Sequence, residues 1–291
     1  MIDRLLICSD LDRTILPNGS QQESPQARRL LHVLARRPEV TLAYVSGRHK
    51  SLLLDAIARY DIPVPDYAIG DVGTTIYEVV GDKWHPWQAW EDEIAPDWGS
   101  RHHDEMAALF NDIPELMLQE PEKQNTFKLS YYTPETVERN ALLAKMQARL
   151  DKQQIRASLI WSVDEAAHCG LLDVLPLSAT KIHAIYFLMK QKGFDEQHTV
   201  FAGDSGNDLP ALTSGLQAVL VRNARDDVRD EAQAELRRKG RLDRLYIAVG
   251  GFHGMNGNYA AGVLEGVQHF FPAVSDWLTA DSGTRNKPSP L

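Results

Sequence analysis

The 291-residue chain is 43% hydrophobic and 24% charged, an ordinary balance for a globular protein able to bury a sizeable core. A formal net charge of −9 argues against a nucleic-acid surface, which calls for a basic patch, although a bound cation can still bring an anionic small molecule to an acidic site. With no apolar run of membrane-spanning length, no leader pattern and only Cys8 and Cys169, the expectation is a cytoplasmic protein acting without nucleic acid, membrane or disulfides.

Leu5-Leu6-Ile7-Cys8 reads as the centre of a strand buried on both faces. It ends on two carboxylates, Asp10 and Asp12, followed by Arg13-Thr14. A lone pair of this kind is more often a capped turn than a site. Ala27, Leu30, Leu31 and Leu34 then stripe a helix over 25–37, and Val40–Val45 forms a second apolar strand. That strand runs into V-S-G-R (45–48), where Ser46 and Gly47 offer a hydroxyl and backbone N–H groups, again compatible with a simple turn. Leu53, Ala56, Ile57 and Tyr60 stripe the next helix, and residues 66–79 read as strand, glycine turn and strand. This β-α-β-α-β opening predicts a parallel sheet with right-handed crossovers.

The pattern changes in the middle. Trp84, Trp87, Trp90 and Trp98 crowd one acidic, proline-containing stretch, either as a small core or as a stacking surface. Residues 126–132 alternate, with Phe127, Leu129 and Tyr131 on one face and Lys128, Ser130 and Tyr132 on the other, a face that is either solvated or turned to a ligand. A helix over 135–150 and alternating strands at 156–163 and 170–176 follow. Alternation marks a sheet packed on one face, hence a second, inserted α/β domain. His102-His103 reads as a surface pair rather than a metal site.

Buried strands then return. Lys181 opens a helix striped by Ile182, Ile185, Tyr186 and Met189, with Thr180 as its N-cap; a cation there opposes the helix dipole, which hints at a use. "FAGDSGND" (201–208) ends a strand with Asp204 and Asp208 flanking Gly206-Asn207, an acidic site or an Asx-rich turn. A short strand at 217–221 and a helix striped by Ala260, Val263, Leu264 and Val267 complete the core. The glycine-rich 250–258 lacks dinucleotide-fingerprint spacing. The predicted fold class is α/β: a parallel-sheet, Rossmann-like core (1–84 and 177–278), an inserted α/β domain (85–176) and a disordered tail (279–291).

Two acids at one strand end, a Ser-Gly at the next, a lone lysine and a second acid pair, in this order, resemble the four motifs of the haloacid dehalogenase superfamily of phosphatases. The resemblance spans the whole core. The insertion between the second and third motifs resembles the subgroup with a large α/β cap. Within that subgroup "SDLDRT", "GDSGND", "VLVRNA", "FKLSYY" and "LLDVLP" look most like the sucrose-6-phosphate phosphatase family. Position 13 departs from the pattern, holding Arg where the family usually has Gly or Asn.

The resemblance implies Mg2+-dependent hydrolysis of a small-molecule sugar phosphate. Asp10 would be the nucleophile, forming an aspartyl-phosphate, and Asp12 the acid and then the base. Two positions along an extended chain place both carboxyls on one side, so one phosphate meets both. Mg2+ would be held by Asp10, the Asp12 backbone carbonyl and Asp204, with Asp208 completing the acidic end. Ser46, Gly47, Lys181 and Asn207 would take phosphoryl oxygens, and Thr14 would brace the loop. Arg48, Lys128, Ser130 and Tyr132 would reach the sugar. Sucrose-6-phosphate heads the candidate substrates; mannosylfructose-, glucosylglycerol- and trehalose-phosphate share the chemistry. The resemblance also allows a sugar-phosphate synthase as partner, or a non-catalytic role beside one.

Overall fold

The computed structural model describes residues 3–164 and 167–279. The tail expected to be disordered from 279 onward falls, beyond Thr279, outside the described residues. In chain order the strands are β1 (Leu5–Ser9), β2 (Val40–Val45), β3 (Tyr67–Gly70), β4 (Thr75–Val80), β5 (Lys83–Pro86), β6 (Met117–Leu118), β7 (Leu129–Pro134), β8 (Ala157–Asp164), β9 (Cys169–Pro176), β10 (Thr199–Gly203), β11 (Gln217–Leu220) and β12 (Leu245–Ile247).

Eight of these strands form one sheet in the order β12-β11-β10-β1-β2-β3-β4-β5. Neighbours from β12 to β3 all pair in parallel. Parallel neighbours need crossovers, and the striped helices supply them. Every residue of β1 is buried, which is why its sequence shows no alternation. The helix Ala27–Ala35 buries Ala27, Leu30, Leu31 and Leu34, and the helix Ala260–Phe270 brings Val263, Leu264 and Val267 to the same core as Leu5 and Ile7. Each such buried Leu, Ile or Val side chain contributes about 1.5–3 kcal/mol of transfer free energy. No helix among the described residues is long and apolar enough to cross a membrane.

The chain divides into two compact units. The first takes the chain up to Gly70, Ile76–Pro86 and everything described from Lys181 onward; the second takes Asp71–Thr75 and Trp87–Thr180. The expected junctions lie at 84/85 and 176/177. The first junction is at 86/87 because β5 pairs antiparallel with β4 at the sheet edge. That pairing keeps Trp84 in the core of the first unit, with its ring 5.7 Å from Tyr77.

The second unit has a four-stranded sheet, β6-β7-β9-β8, antiparallel throughout. Trp90 and Trp98 are fully buried, Trp98 against Phe127 at 5.8 Å, while the Trp90 indole N–H donates to the Gly73 carbonyl at 3.1 Å. Both fill the small core and present no stacking face. The helix expected over 135–150 runs from Arg139 to Lys152, because Pro134 closes β7 and the Glu138 side chain caps the Asn140 N–H.

Candidate active site

Parallel order puts the carboxyl ends of β10, β1 and β2 side by side, the edge where open α/β sheets bind ligands. The Asp10 N–H continues the ladder to the Ala202 carbonyl at 2.9 Å. The chain then folds tightly, with the Leu11 carbonyl accepting from Thr14, Ile15 and Leu16 at 3.2, 3.0 and 2.9 Å. Asn18 Oδ1 accepts the Arg13 N–H at 2.8 Å and Asn223 Nδ2 donates to the Arg13 carbonyl at 2.6 Å, so the turn is clamped on both sides.

Lys181 ties the site together. Its Nζ donates to Asp10 Oδ1 at 2.8 Å and to Asp208 Oδ1 at 2.9 Å. The buried Thr14 hydroxyl lies 3.4 Å from both Asp10 Oδ2 and Asp204 Oδ1. Asp208 Oδ2 accepts from the Asp204 and Ser205 N–H groups and the Ser205 hydroxyl at 3.2, 3.3 and 3.1 Å. With Lys181 on its other oxygen, Asp208 is a satisfied buried carboxylate that holds the lysine. Gly203 makes room for it, since a Cβ there would stand 2.7 Å from the Asp208 side chain.

The Asp10, Asp204 and Asp208 carboxylates each offer an oxygen within 4.8 Å of the others, all three buried. Burial, with the charges of Asp208 and Asp204, pushes Asp10 above the ordinary carboxylate range, against the pull of Lys181. Burial and Asp208 push Asp204 up to about 6, against the pull of Arg13 and Thr14. Burial disfavours charge on Lys181, but Asp10 and Asp208 outweigh it and hold the lysine protonated. Hard carboxylate oxygens crowded together in one buried group are the donor set that Mg2+ takes, so the residues fit that ion.

Asp12 lies at the rim of this group. Arg48 binds it with two hydrogen bonds, Nε to Oδ2 at 2.8 Å and Nη2 to Oδ1 at 2.6 Å, and Asn18 adds a third at 2.6 Å. Burial would raise Asp12, yet Arg48 and Asn18 outweigh it and hold the carboxyl below its usual range. Ser46 is buried, with its Oγ accepting the Arg48 N–H at 3.2 Å, while Gly47 and Asn207 are exposed.

The polar residues of the 126–132 stretch lie in the second unit, and of them Tyr132 is half-buried. Lys128 and Ser130 are buried. Lys128 Nζ is 3.8 Å from Asp71, and Ser130 donates to Asp173. Burial pushes Asp71 up to about 6, against Lys128, Asn125 and Thr75. Tyr132 donates its hydroxyl to Glu120 and accepts from Lys123. His103 bonds Asp104 and Gln124, consistent with a surface role. Sequence reasoning missed Asn18, Asp71, Asp173 and Asn223 as organisers of these groups. Asn223 and Asp173 carried a local signal, standing in "VLVRNA" and "LLDVLP".

The family model for sucrose-6F-phosphate phosphohydrolase matches residues 3–271. A HAD-like hydrolase of Nitrosococcus oceani is 58% identical over 278 residues, covering 96% of this chain and 75% of that one. Mannosylfructose-phosphate phosphatase of Agrobacterium fabrum is 26% identical over 266 residues, covering 91% and 96%. Among solved structures, the sucrose-phosphatase of Synechocystis sp. PCC6803, in complex with sucrose and phosphate, is similar with a TM-score of 0.66 and 26% identity, covering 92% of this chain and 98% of that one.

Proposed function

The chain belongs to the sucrose-6F-phosphate phosphohydrolase family of the haloacid dehalogenase superfamily, and we propose that it hydrolyses a sugar phosphate, sucrose-6-phosphate foremost, to sugar and inorganic phosphate. The reading is carried by one observation: Lys181 bonds Asp10 and Asp208 at once, in a buried group that also holds Thr14 and Asp204. Lysine and hydroxyl would face the phosphoryl oxygens while a carboxylate faces phosphorus.

In this reading an Asp10 oxygen attacks phosphorus, and the bond from phosphorus to the sugar oxygen breaks. Asp12 gives that oxygen a proton, then takes one from the water that attacks the aspartyl-phosphate, releasing phosphate and restoring Asp10. Arg48 occupies both Asp12 oxygens in the free protein, so proton delivery requires the guanidinium to exchange Asp12 for a substrate oxygen. Lys181, Ser46 and the Gly47 N–H stabilise the charge that spreads over the phosphoryl oxygens. Asp10, Asp204 and the Asp12 backbone carbonyl would hold Mg2+, which would supply the positive charge that lets a carboxylate approach a phosphate dianion.

A panel of sugar phosphates assayed with Mg2+ and with excess chelator tests this reading. Expected is phosphate release that chelation abolishes and Mg2+ restores, with Ca2+ a poor substitute because it prefers longer and more numerous oxygen contacts. Full activity in excess chelator contradicts the metal role. Mannosylfructose-phosphate is the second substrate reading, favoured by the Agrobacterium match.

Groups that grip phosphate and metal treat all sugar phosphates alike, so we assign selectivity to the polar side chains of the second unit. Lys128→Ala should lower kcat/KM for the preferred sugar phosphate roughly ten- to a hundredfold. That matches about 1.5–3 kcal/mol for a charged hydrogen bond. p-Nitrophenyl phosphate should be much less affected. Equal losses on both substrates place sugar recognition elsewhere.

A further inference from the structure

Arg13 occupies a backbone conformation that disfavours it. Its φ is 61°, in the left-handed region, where a residue with a Cβ is strained and glycine is not. The turn does not depend on the side chain, because Asn18 and Asn223 hold the Arg13 N–H and carbonyl. The side chain instead reaches the acidic group. Its Nε lies 3.3 Å from Asp204 Oδ2, while Nη2 makes one long contact of 3.5 Å to the Asn223 carbonyl. The Nε–H is buried yet aligned on no acceptor among the described residues. The guanidinium therefore neutralises Asp204 by proximity, without the paired hydrogen bonds with which Arg48 holds Asp12.

We infer that Arg13 is a built-in counter-cation for Asp204 that competes with Mg2+, so that this chain binds the ion more weakly than it would with an uncharged residue at position 13. The inference rests on the reading that Asp204 is a metal ligand. Without a metal, three crowded carboxylates have two cations, Lys181 and Arg13, to offset them. When Mg2+ arrives, a guanidinium 3.3 Å from a ligating oxygen opposes it and must withdraw. Lys181 is held by two aligned hydrogen bonds and stays. Arg13, half exposed and poorly aligned, is the one that gives way.

The test is Mg2+ titration of the substrate-free protein, followed by calorimetry and by the rise in melting temperature, which reports binding to the folded state independently of turnover. Arg13→Gly and Arg13→Gln should each bind Mg2+ about tenfold more tightly, while Arg13→Lys stays near the parent. The metal-free Arg13→Gln protein, which keeps the same Cβ strain as the Lys variant, should also melt lower than it, and regain more on Mg2+ addition. Asp204→Asn is the control for the underlying reading and should lose Mg2+ binding. If Asp204→Asn binds Mg2+ like the parent, the ion is not held at Asp204, and the metal-site reading falls together with the inference. If Asp204→Asn loses binding but the Gly and Gln variants match or fall below the parent affinity, Arg13 does not compete and the inference alone is overturned.

Discussion

Asp10→Asn should lower kcat/KM by at least about ten-thousandfold while leaving the protein folded, the scale of loss seen when an attacking group is removed. The amide keeps the shape of the side chain and one carbonyl oxygen for Lys181, but it is a poor nucleophile. Stability should not fall, because the substitution removes one of three crowded carboxylates that burial and mutual repulsion already push upward at Asp10 and Asp204. Thermal melting of the variant beside its rate separates the two effects. A folded Asp10→Asn protein with near-parental phosphate release would remove Asp10 from the chemistry.

Lys181→Met is the second large effect, and it should strike activity and stability together. The lysine is 15% exposed and is the partner of both Asp10 and Asp208, the latter fully buried. Breaking a buried ion pair by deleting one member costs roughly 3–5 kcal/mol, because the remaining charge is left uncompensated. Losing one preorganised donor to the phosphoryl oxygens should remove a further factor of about 10²–10³ from kcat. The two variants should not be additive. Adding Asp10→Asn to Lys181→Met removes one of the stranded carboxylates, so the double variant should be more stable than Lys181→Met alone. Denaturant midpoints of the four proteins measure this. A Lys181→Met protein as stable as the parent would mean that the carboxylates find other partners, and that the lysine does not organise the group.

Much of the core was legible because its physics is local. Buried strands of a parallel sheet need no polar face, so Leu5–Cys8 announces itself, and ligands gather where such strands end. That logic marked Asp10, Ser46 and Asp204 before their proximity was known, and the order β10-β1-β2 brings them to one edge. Pairing between distant side chains was not legible. Alternation in 126–132 gives two faces but does not say what covers the second; Asp71 and Asp173, from other parts of the chain, bury Lys128 and Ser130 there. Nor does periodicity reveal that Arg48 turns onto Asp12, or Arg13 onto Asp204, since both contacts depend on how loops from separate strands meet. Trp84 was ambiguous for a similar reason: only the β4–β5 pairing assigns it to the first unit.

The central claim is that phosphate passes through Asp10. Its most direct test is to quench the enzyme with acid during turnover of its preferred sugar phosphate, reduce with borohydride, and locate the modified residue by mass spectrometry. An acyl phosphate on Asp10 predicts reduction of that side chain to the alcohol, at position 10 alone and only when substrate is present. Unmodified Asp10 in an enzyme caught at full turnover, or reduction at another carboxylate, would contradict the account.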